Sequence, residues 1–415
     1  ARETGLQAIA AAEACGDIAC QAEAHSMLGL LLGMQGDTVG GRARLEHALD
    51  LSLRHNLTAS AAEAYRLLGT VAEYASCYGD QQTAFARALA YCRRHDATTT
   101  SELCMGCLSY SLFRSGNWTR SRRVALGVLE RPGVIAHCVA EAVLGLYHAH
   151  RGELRVAVPH LESSRAIAHR IGLLCVEFFY SWGIALVEQQ AGRPDSAAVH
   201  YRRLLDFWSG TEDRHDAIPG LTFGALFFCD QGDTRTAGDF AAALRVITTA
   251  TANPEAAGAH ALVSGELLRR EGKPAQALPL LRRALESYAH RELVVERIHT
   301  LPRLAAALLA TGDTSSADAT VREASQRAGR LGMRALLPSC EARSLASAPT
   351  DAWSVLSPRQ RDVARQIATG ATNKEIAARL GLGVRTIDMH VGHVLARLDC
   401  RSRAEAATRI TSLLA

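Results

Sequence analysis

The chain reads as helical segments punctuated by a recurring turn. A glycine followed by a polar or turn-forming residue appears at Gly36-Asp37, Gly79-Asp80, Gly116-Asn117, Gly152-Glu153, Gly192-Arg193-Pro194, Gly232-Asp233, Gly272-Lys273-Pro274 and Gly312-Asp313, at spacings of 43, 37, 36, 40, 40, 40 and 40. Seven residues before each glycine stands a small side chain: Gly29, Ala72, Ser109, Gly145, Ala185, Ala225, Gly265 and Ala305. Five residues after it stands another: Gly41, Ala84, Ser121, Ala157, Ala197, Ala237, Ala277 and Ala317. Two antiparallel helices approach closely only over small residues, and a left-handed glycine turn can join them. Along the second helix of a pair, apolar residues such as Ala277, Leu281, Ala284 and Leu285 recur at the spacing of one buried stripe. The pattern predicts an all-α fold in which stacked helix pairs bury one another's faces. The first segment, up to Cys15-Gly16-Asp17, reads as the second helix of a pair. Because the chain also starts with Ala1, it is expected to belong to a larger parent protein.

Between about Ser344 and Val355 the period dissolves into Ser-Leu-Ala-Ser-Ala-Pro-Thr-Asp, a linker signal. The expected organisation is a helical-repeat domain over 1–343, a linker over 344–355 and a C-terminal domain over 356–415. Three capping boxes mark helix starts in that last stretch: Ser357-Pro358-Arg359-Gln360, Thr372-Asn373-Lys374-Glu375 and Ser402-Arg403-Ala404-Glu405. Four helices follow. The first, from about Pro358 to Thr369, turns Val363 and Ile367 inward, and the second, Asn373 to Leu380, buries Ile376, Ala377 and Leu380. After the turn Gly381-Leu382-Gly383, a third runs from Val384 to about Leu398 on an inward face of Ile387, Val391, Val394, Leu395 and Leu398. The fourth spans Ser402 to Leu414. Two helices joined by a tight glycine turn, the second polar on its outer face, make the helix-turn-helix arrangement.

The repeat pattern over roughly 1–335 resembles the tetratricopeptide repeat, whose small-residue, glycine-turn and small-residue positions match at these offsets. Its period near 40 exceeds that family's usual length of about 34. The resemblance implies a right-handed α-solenoid with a concave surface that either recognises a ligand or protein or serves as plain scaffold. The C-terminal segments Leu356-Ser-Pro-Arg-Gln-Arg-Asp-Val, Gly370-Ala-Thr-Asn-Lys-Glu-Ile-Ala, Thr386-Ile-Asp-Met-His-Val and Leu398-Asp-Cys-Arg-Ser-Arg-Ala-Glu-Ala resemble the LuxR-type DNA-binding domain along its whole length.

That resemblance implies a third helix in the major groove, a second helix whose start grips phosphate and a fourth helix that pairs two copies through Ala406, Ile410 and Leu413. Asn373 and Lys374 would contact phosphate. Thr386 and His390 would anchor the recognition helix, and His393 and Arg397 would track the backbone. Asp388, Met389 and Gly392 would face base edges. The family more often has glutamate at Gln360, serine at Gly383 and lysine where Asp388 and Gly392 stand. Aspartate accepts from cytosine N4 rather than donating to guanine, so Arg385 becomes the candidate cationic contact.

Charge supports a tethered phosphate-binding module. Residues 351–415 carry ten Lys/Arg against six Asp/Glu, while the first 350 residues balance at 36 of each, so the whole net charge of +4 resides in the tail. Hydrophobic residues reach 48% with only 5% aromatic, an alanine-rich mix that suits close-packed helices. No membrane span or signal peptide is legible, and a cytoplasmic location is expected. The eleven cysteines lie mostly in helical periodicity and read as buried thiols. Cys104-Met-Gly-Cys107 has no partner motif at zinc spacing, and His148 and His150 read as incidental, so no metal site is expected. His25, Tyr65, Trp118, Trp182 and Trp208 either line a groove or join the core.

No nucleophile elbow, paired carboxylates or GxxxxGK[ST] loop occurs, so neither catalysis nor a cofactor is expected of this chain. The combination resembles the large LuxR-type activators of the MalT and LAL group, in which a nucleotide-binding ATPase precedes a superhelical repeat domain. The expected function is a DNA-binding transcriptional regulator, an activator, whose repeats sense a ligand or partner. Double-stranded DNA, a second copy of the chain and RNA polymerase are the candidate partners. The competing reading is a repeat-based protein-docking adaptor with vestigial DNA binding.

Overall fold

The computed structural model describes residues 2–173, 175–211, 214–333, 356–398, 400 and 402–414. Among them the chain forms 21 α-helices, a single 3-10 turn at Trp208–Gly210 and no strand. It divides into two compact units, Ala1–Glu341 and Ala342–Ala415. The linker expected over 344–355 lies outside the described residues.

The first unit is an α-solenoid of antiparallel helix pairs. After α1 (Arg2–Cys15), the pairs are α2 (Ile18–Met34) with α3 (Thr38–Arg54), α4 (Thr58–Tyr74) with α5 (Tyr78–Arg94), and α6 (Thr98–Arg114) with α7 (Trp118–Leu129). Then come α8 (Val134–His150) with α9 (Leu154–Ile171), α10 (Val176–Gln190) with α11 (Pro194–Phe207), and α12 (Ala217–Gln231) with α13 (Thr234–Thr251). The last two pairs are α14 (Pro254–Arg270) with α15 (Pro274–His290) and α16 (Val294–Ala310) with α17 (Thr314–Leu331).

Seven of the eight expected glycine turns are where the sequence puts them, each glycine taking positive φ. The exception is Gly79, which lies inside α5. The left-handed position there belongs to Ser76, with φ 53°. Its N–H donates to the Glu73 carbonyl at 2.7 Å, and the N–H of Cys77 donates to Ala72 at 2.9 Å, satisfying the end of α4 without a glycine. The small-residue positions shift with it: Gly69 rather than Ala72 receives the Phe85 ring, and buried Gln81 replaces Ala84. With Ser76 in place the turns fall 40 residues apart except for a single interval of 36. The shortfall of four comes from α7, which has 12 residues where α2 to α6 have 17 each, less one residue regained in the longer connection to α8. The joints between pairs keep the same period through Gly16, Asn56, Asp96, Gly172, Ala252, Glu292 and Gly332, all at positive φ.

The two helices of a pair play different parts. The second is amphipathic: α15 buries Ala277, Leu281, Ala284 and Tyr288 and leaves Leu285 half-buried. The first is more deeply buried, most completely in α12, where every residue from Ala217 to Cys229 is buried. A helix buried on all sides lies in the interior of a domain rather than at its rim. Small residues set the separation: a Cβ on Gly145 would come within 2.6 Å of Leu161, and one on Gly265 within 3.0 Å of Leu281.

The axis of the solenoid is filled by the chain itself. Tyr78 Oη donates to Glu255 Oε2 at 3.1 Å, and Arg114 Nη2 lies 2.7 Å from both Glu255 Oε1 and Glu296 Oε1. Asn253 Nδ2 donates to the Tyr74 carbonyl at 2.8 Å and Arg151 Nη1 to the Leu331 carbonyl at 3.2 Å. These partners stand 141 to 182 residues apart, between three and five modules of 40, so successive superhelical turns touch. Gly116 marks how close they come: at φ +79°, a Cβ on it would meet Val294 Cγ2 at 2.8 Å. Along this closed axis His150 packs edge-on against Trp182 and Phe223, and Phe223 against His299. Burial holds the His150 imidazole neutral, its pKa pushed down to about 3, with the Arg114 cation adding to the effect. Where these turns touch, the chain's own side chains occupy the axis on which the repeat pattern leads one to expect a concave surface. His25, Trp118 and Trp182 are core residues, while Tyr65 and Trp208 are half-buried. Most described cysteines are buried or half-buried, but Cys15 and Cys20 are exposed.

The second unit contains α18 (Pro358–Ala368), α19 (Asn373–Leu380), α20 (Val384–Arg397) and α21 (Arg403–Leu414). Its core gathers Leu356, Val363, Ile367, Ile376, Ile387, Val391, Val394, Leu398, Ala406 and Ile410. Among the described residues of both units, no helix is long and apolar enough to cross a membrane.

Candidate nucleic-acid interface

Capping fixes where the helices of the second unit begin. Ser357 Oγ accepts from the Gln360 N–H at 3.3 Å, and Gln360 Oε1 accepts in return from the Ser357 N–H at 2.9 Å. Gln360 is buried in this box, where its neutral amide avoids the desolvation cost a glutamate would carry. Glu375 closes the equivalent box at the start of α19, accepting from the Thr372 N–H at 2.7 Å. Those hydrogen bonds, led by the Thr372 backbone, hold its carboxyl below the usual range. The Glu405 N–H donates to Ser402 Oγ at 3.1 Å before α21. Gly370 and Gly381 end α18 and α19 at positive φ.

The core then orients α20. Ile387, Val391 and Val394 point inward, which leaves Val384, Arg385, Asp388, Met389, Gly392 and His393 exposed along the opposite face. Thr386 and His390 flank that face, half-buried, and His390 Nδ1 has no hydrogen-bond partner among the described residues. Lys374 projects from the first turn of α19, exposed. The side chain of Arg397 lies outside the described residues.

Asn373 is placed differently from a free phosphate ligand. Its Nδ2 donates to Asp388 Oδ1 at 2.5 Å, and its Oδ1 accepts from Arg403 Nη1 at 2.6 Å. Arg403 also donates to the Ala371 carbonyl. The amide thus braces the start of α19 against α20 and α21. Sequence spacing offered one hint of this brace, because an acid stands at 388 where the family favours lysine, but it could not identify Arg403 as the third member.

A second correction concerns α21. Ala406 and Ile410, expected to face a partner copy, are completely buried in the domain's own core. Among the described side chains of α21, Ala404, Glu405, Thr408 and Thr411 are exposed, and that of Leu413 lies outside the described residues.

These four helices form a helix-turn-helix module. Residues 354–410 match the family model described as bacterial regulatory proteins, luxR family, and the C-terminal unit is a LuxR-family helix-turn-helix domain. An HTH-type transcriptional regulator of Mycobacterium tuberculosis (strain ATCC 25618 / H37Rv) is 42% identical over 57 residues, 14% of this chain and 6% of the relative. The nitrate/nitrite response regulator protein NarL of Escherichia coli (strain K12) is 46% identical over 52 residues, 12% of this chain and 24% of its own length. The match to each of these curated relatives thus spans less than a quarter of the relative's length. A solved complex of a Rap protein with Competence and Sporulation Factor aligns with 79% of this chain and 97% of its own, at 12% identity and a TM-score of 0.48.

Proposed function

We propose that the chain is a DNA-binding transcriptional regulator, an activator, that places α20 in the major groove of an inverted-repeat operator as a dimer. The observation that carries this reading is the continuous exposed face of α20 within a LuxR-family domain, flanked by Lys374 at the start of α19. Lys374 and the first N–H groups of that helix start would bind phosphate, with His393 along the backbone and Arg385 as the cationic contact on the reading face. Asp388, Met389 and Gly392 would meet base edges. Because Asn373 holds one oxygen of Asp388, the other is left to accept from a cytosine N4. Asn373 itself acts in this reading as a brace, reaching phosphate through its backbone N–H. The repeat domain would receive a signal from a ligand or protein partner and pass it to RNA polymerase through the bound dimer.

The test is binding of the 415-residue chain to random-sequence duplex across a salt series. Affinity should fall steeply with salt, and Lys374→Ala should weaken it on every sequence while reducing the log–log salt slope by about 1. Absence of salt-dependent binding below about 100 mM would sink the reading and leave the docking-adaptor alternative.

A further inference from the structure

Three metal-ligating side chains meet where successive turns of the superhelix join. Glu73 stands in the last turn of α4, and His215 and Asp216 immediately precede α12. His215 Nε2 lies 3.1 Å from Asp216 Oδ1 and 3.5 Å from Glu73 Oε1, and the three ligating atoms fall within 4.8 Å of one another. The two carboxylates are only 9% and 8% exposed. Gln81, fully buried, donates Nε2 to Glu73 Oε2 at 2.7 Å, which turns Oε1 toward the imidazole. The Tyr74 ring meets the His215 ring edge-on at 4.6 Å and fixes its plane. A cavity of about 10 Å³ adjoins, lined by Tyr74, Arg214, His215 and Asn253 among others, with room for a single water.

We propose that Glu73, His215 and Asp216 form a binding site for one divalent first-row transition ion, zinc foremost, with a water in the adjoining cavity as fourth ligand. Tetrahedral ligands held at about 2.0–2.1 Å stand roughly 3.3 Å from one another, and the two separations from His215 Nε2, 3.1 and 3.5 Å, bracket that value. One imidazole with two carboxylates suits zinc or its neighbours; calcium and magnesium take oxygen ligands only. Gln81 is the outer partner that such carboxylate ligands usually have. Arg214 lines the same cavity, but its Nε donates to the Thr211 carbonyl and its guanidinium lies over Trp208. A bound ion would tie α4 to the segment before α12 and so fix the pitch of the superhelix.

The test uses the full 415-residue chain, stripped with chelator and titrated with Zn²⁺ by calorimetry, and with Co²⁺ as a spectroscopic substitute. One ion should bind per chain, raising Tm by about 5 °C at a hundredfold excess over Kd. The isosteric changes Glu73→Gln and Asp216→Asn should each weaken binding about tenfold or more, while Cys15→Ser/Cys20→Ser, which removes the exposed thiols, should leave it intact. Circular dichroism identifies a variant that fails to fold, and the cobalt spectrum of the unaltered chain then decides. Tetrahedral ligand-field bands without thiolate charge transfer support the site, and thiolate bands overturn it. The proposal also falls if no stoichiometric binding occurs, if both carboxylate variants bind normally, or if Tm responds to acidification but not to zinc.

Discussion

Arg114 is the place to test whether charge holds the superhelical turns together. Its side chain is 3% exposed, and Nη2 lies 2.7 Å from Glu255 Oε1 and from Glu296 Oε1, both of them also buried. Nη1 donates to Tyr110 Oη at 3.1 Å, and the guanidinium lies 5.3 Å from the centroid of the Tyr78 ring. Replacing Arg114 by methionine keeps most of the apolar stem but leaves two carboxylates without their cation. Breaking a buried pair on one side costs about 3–5 kcal/mol, because the remaining charge is desolvated and uncompensated. A repeat array need not unfold in one step, so a global midpoint would blur the effect. Hydrogen exchange with mass spectrometry resolves it. Amides of α14 and α16 should exchange faster by about two to three and a half orders of magnitude, while α1 to α3 change little. Removing the orphaned charges as well, in R114M/E255Q/E296Q, should restore more than half of the protection. If R114M exchanges like the parent, or the triple variant is no better protected than the single, the charge triad does not join the turns.

Acid should loosen the same axis. Burial keeps His150, with its pKa near 3, and His299, shifted well below its usual value, neutral in the folded chain. Unfolding therefore takes up protons below about pH 6.5, and their contribution to stability is lost as pH falls from there toward 3. Glu296 works in the opposite sense: burial, against the pull of Arg114, raises its carboxyl, so its share is present in acid and lost as pH rises through the folded value. Tm measured from pH 7 to 5 should fall less in His150→Phe than in the parent; an unchanged slope would refute the assignment. Gly116→Ala should cost about 1–2 kcal/mol for its left-handed backbone plus the displacement of Val294, whereas Gly192→Ala, with nothing near its Cβ, should show the backbone cost alone. Equal losses in denaturant titrations would show that the superhelical contact adds nothing. On DNA, Asp388→Lys should move the selected consensus from cytosine toward guanine by about 1–3 kcal/mol of discrimination, and an unchanged consensus would remove Asp388 from the reading face.

What could be read from the chain was whatever a few neighbouring residues decide. Capping boxes at Ser357 and Thr372, glycine turns and the inward stripe of α20 are local, and they placed the C-terminal helices to within a residue or two. The turn at Ser76 was missed because Gly79 mimics the signal three residues later, while a non-glycine residue carries the left-handed conformation. Asn56, Asp96 and Glu292 hide the second set of turns for the same reason. The interface was only half legible. Exposure along α20 follows from its periodicity, but the bond from Asn373 to Arg403 depends on how three helices pack, and so does the inward turn of Ala406 and Ile410.

Least legible was the closing of the solenoid, and it bears most on function. Residues as far apart as Tyr78 and Glu255 meet only because the modules rotate by a fixed amount each time, a geometric property of the stack that no single repeat displays. Helices of about 17 residues exceed those of the shorter 34-residue repeat by nearly a turn, and their inner faces meet across the axis in rings such as Trp182, Phe223 and His299. Under the proposed signal-receiving role, a ligand would have two routes: binding the outer face, or opening a joint between turns. The aromatic axis offers little to a polar effector, since its groups are buried and neutral. The joints are different. Arg114 with Glu255 and Glu296 stakes the closure on a few buried charges, and the ion proposed at Glu73, His215 and Asp216 would add a second fastening. A fold closed by apolar packing but fastened by charge can change pitch without losing its core, which is what the proposed signal-receiving role asks of it.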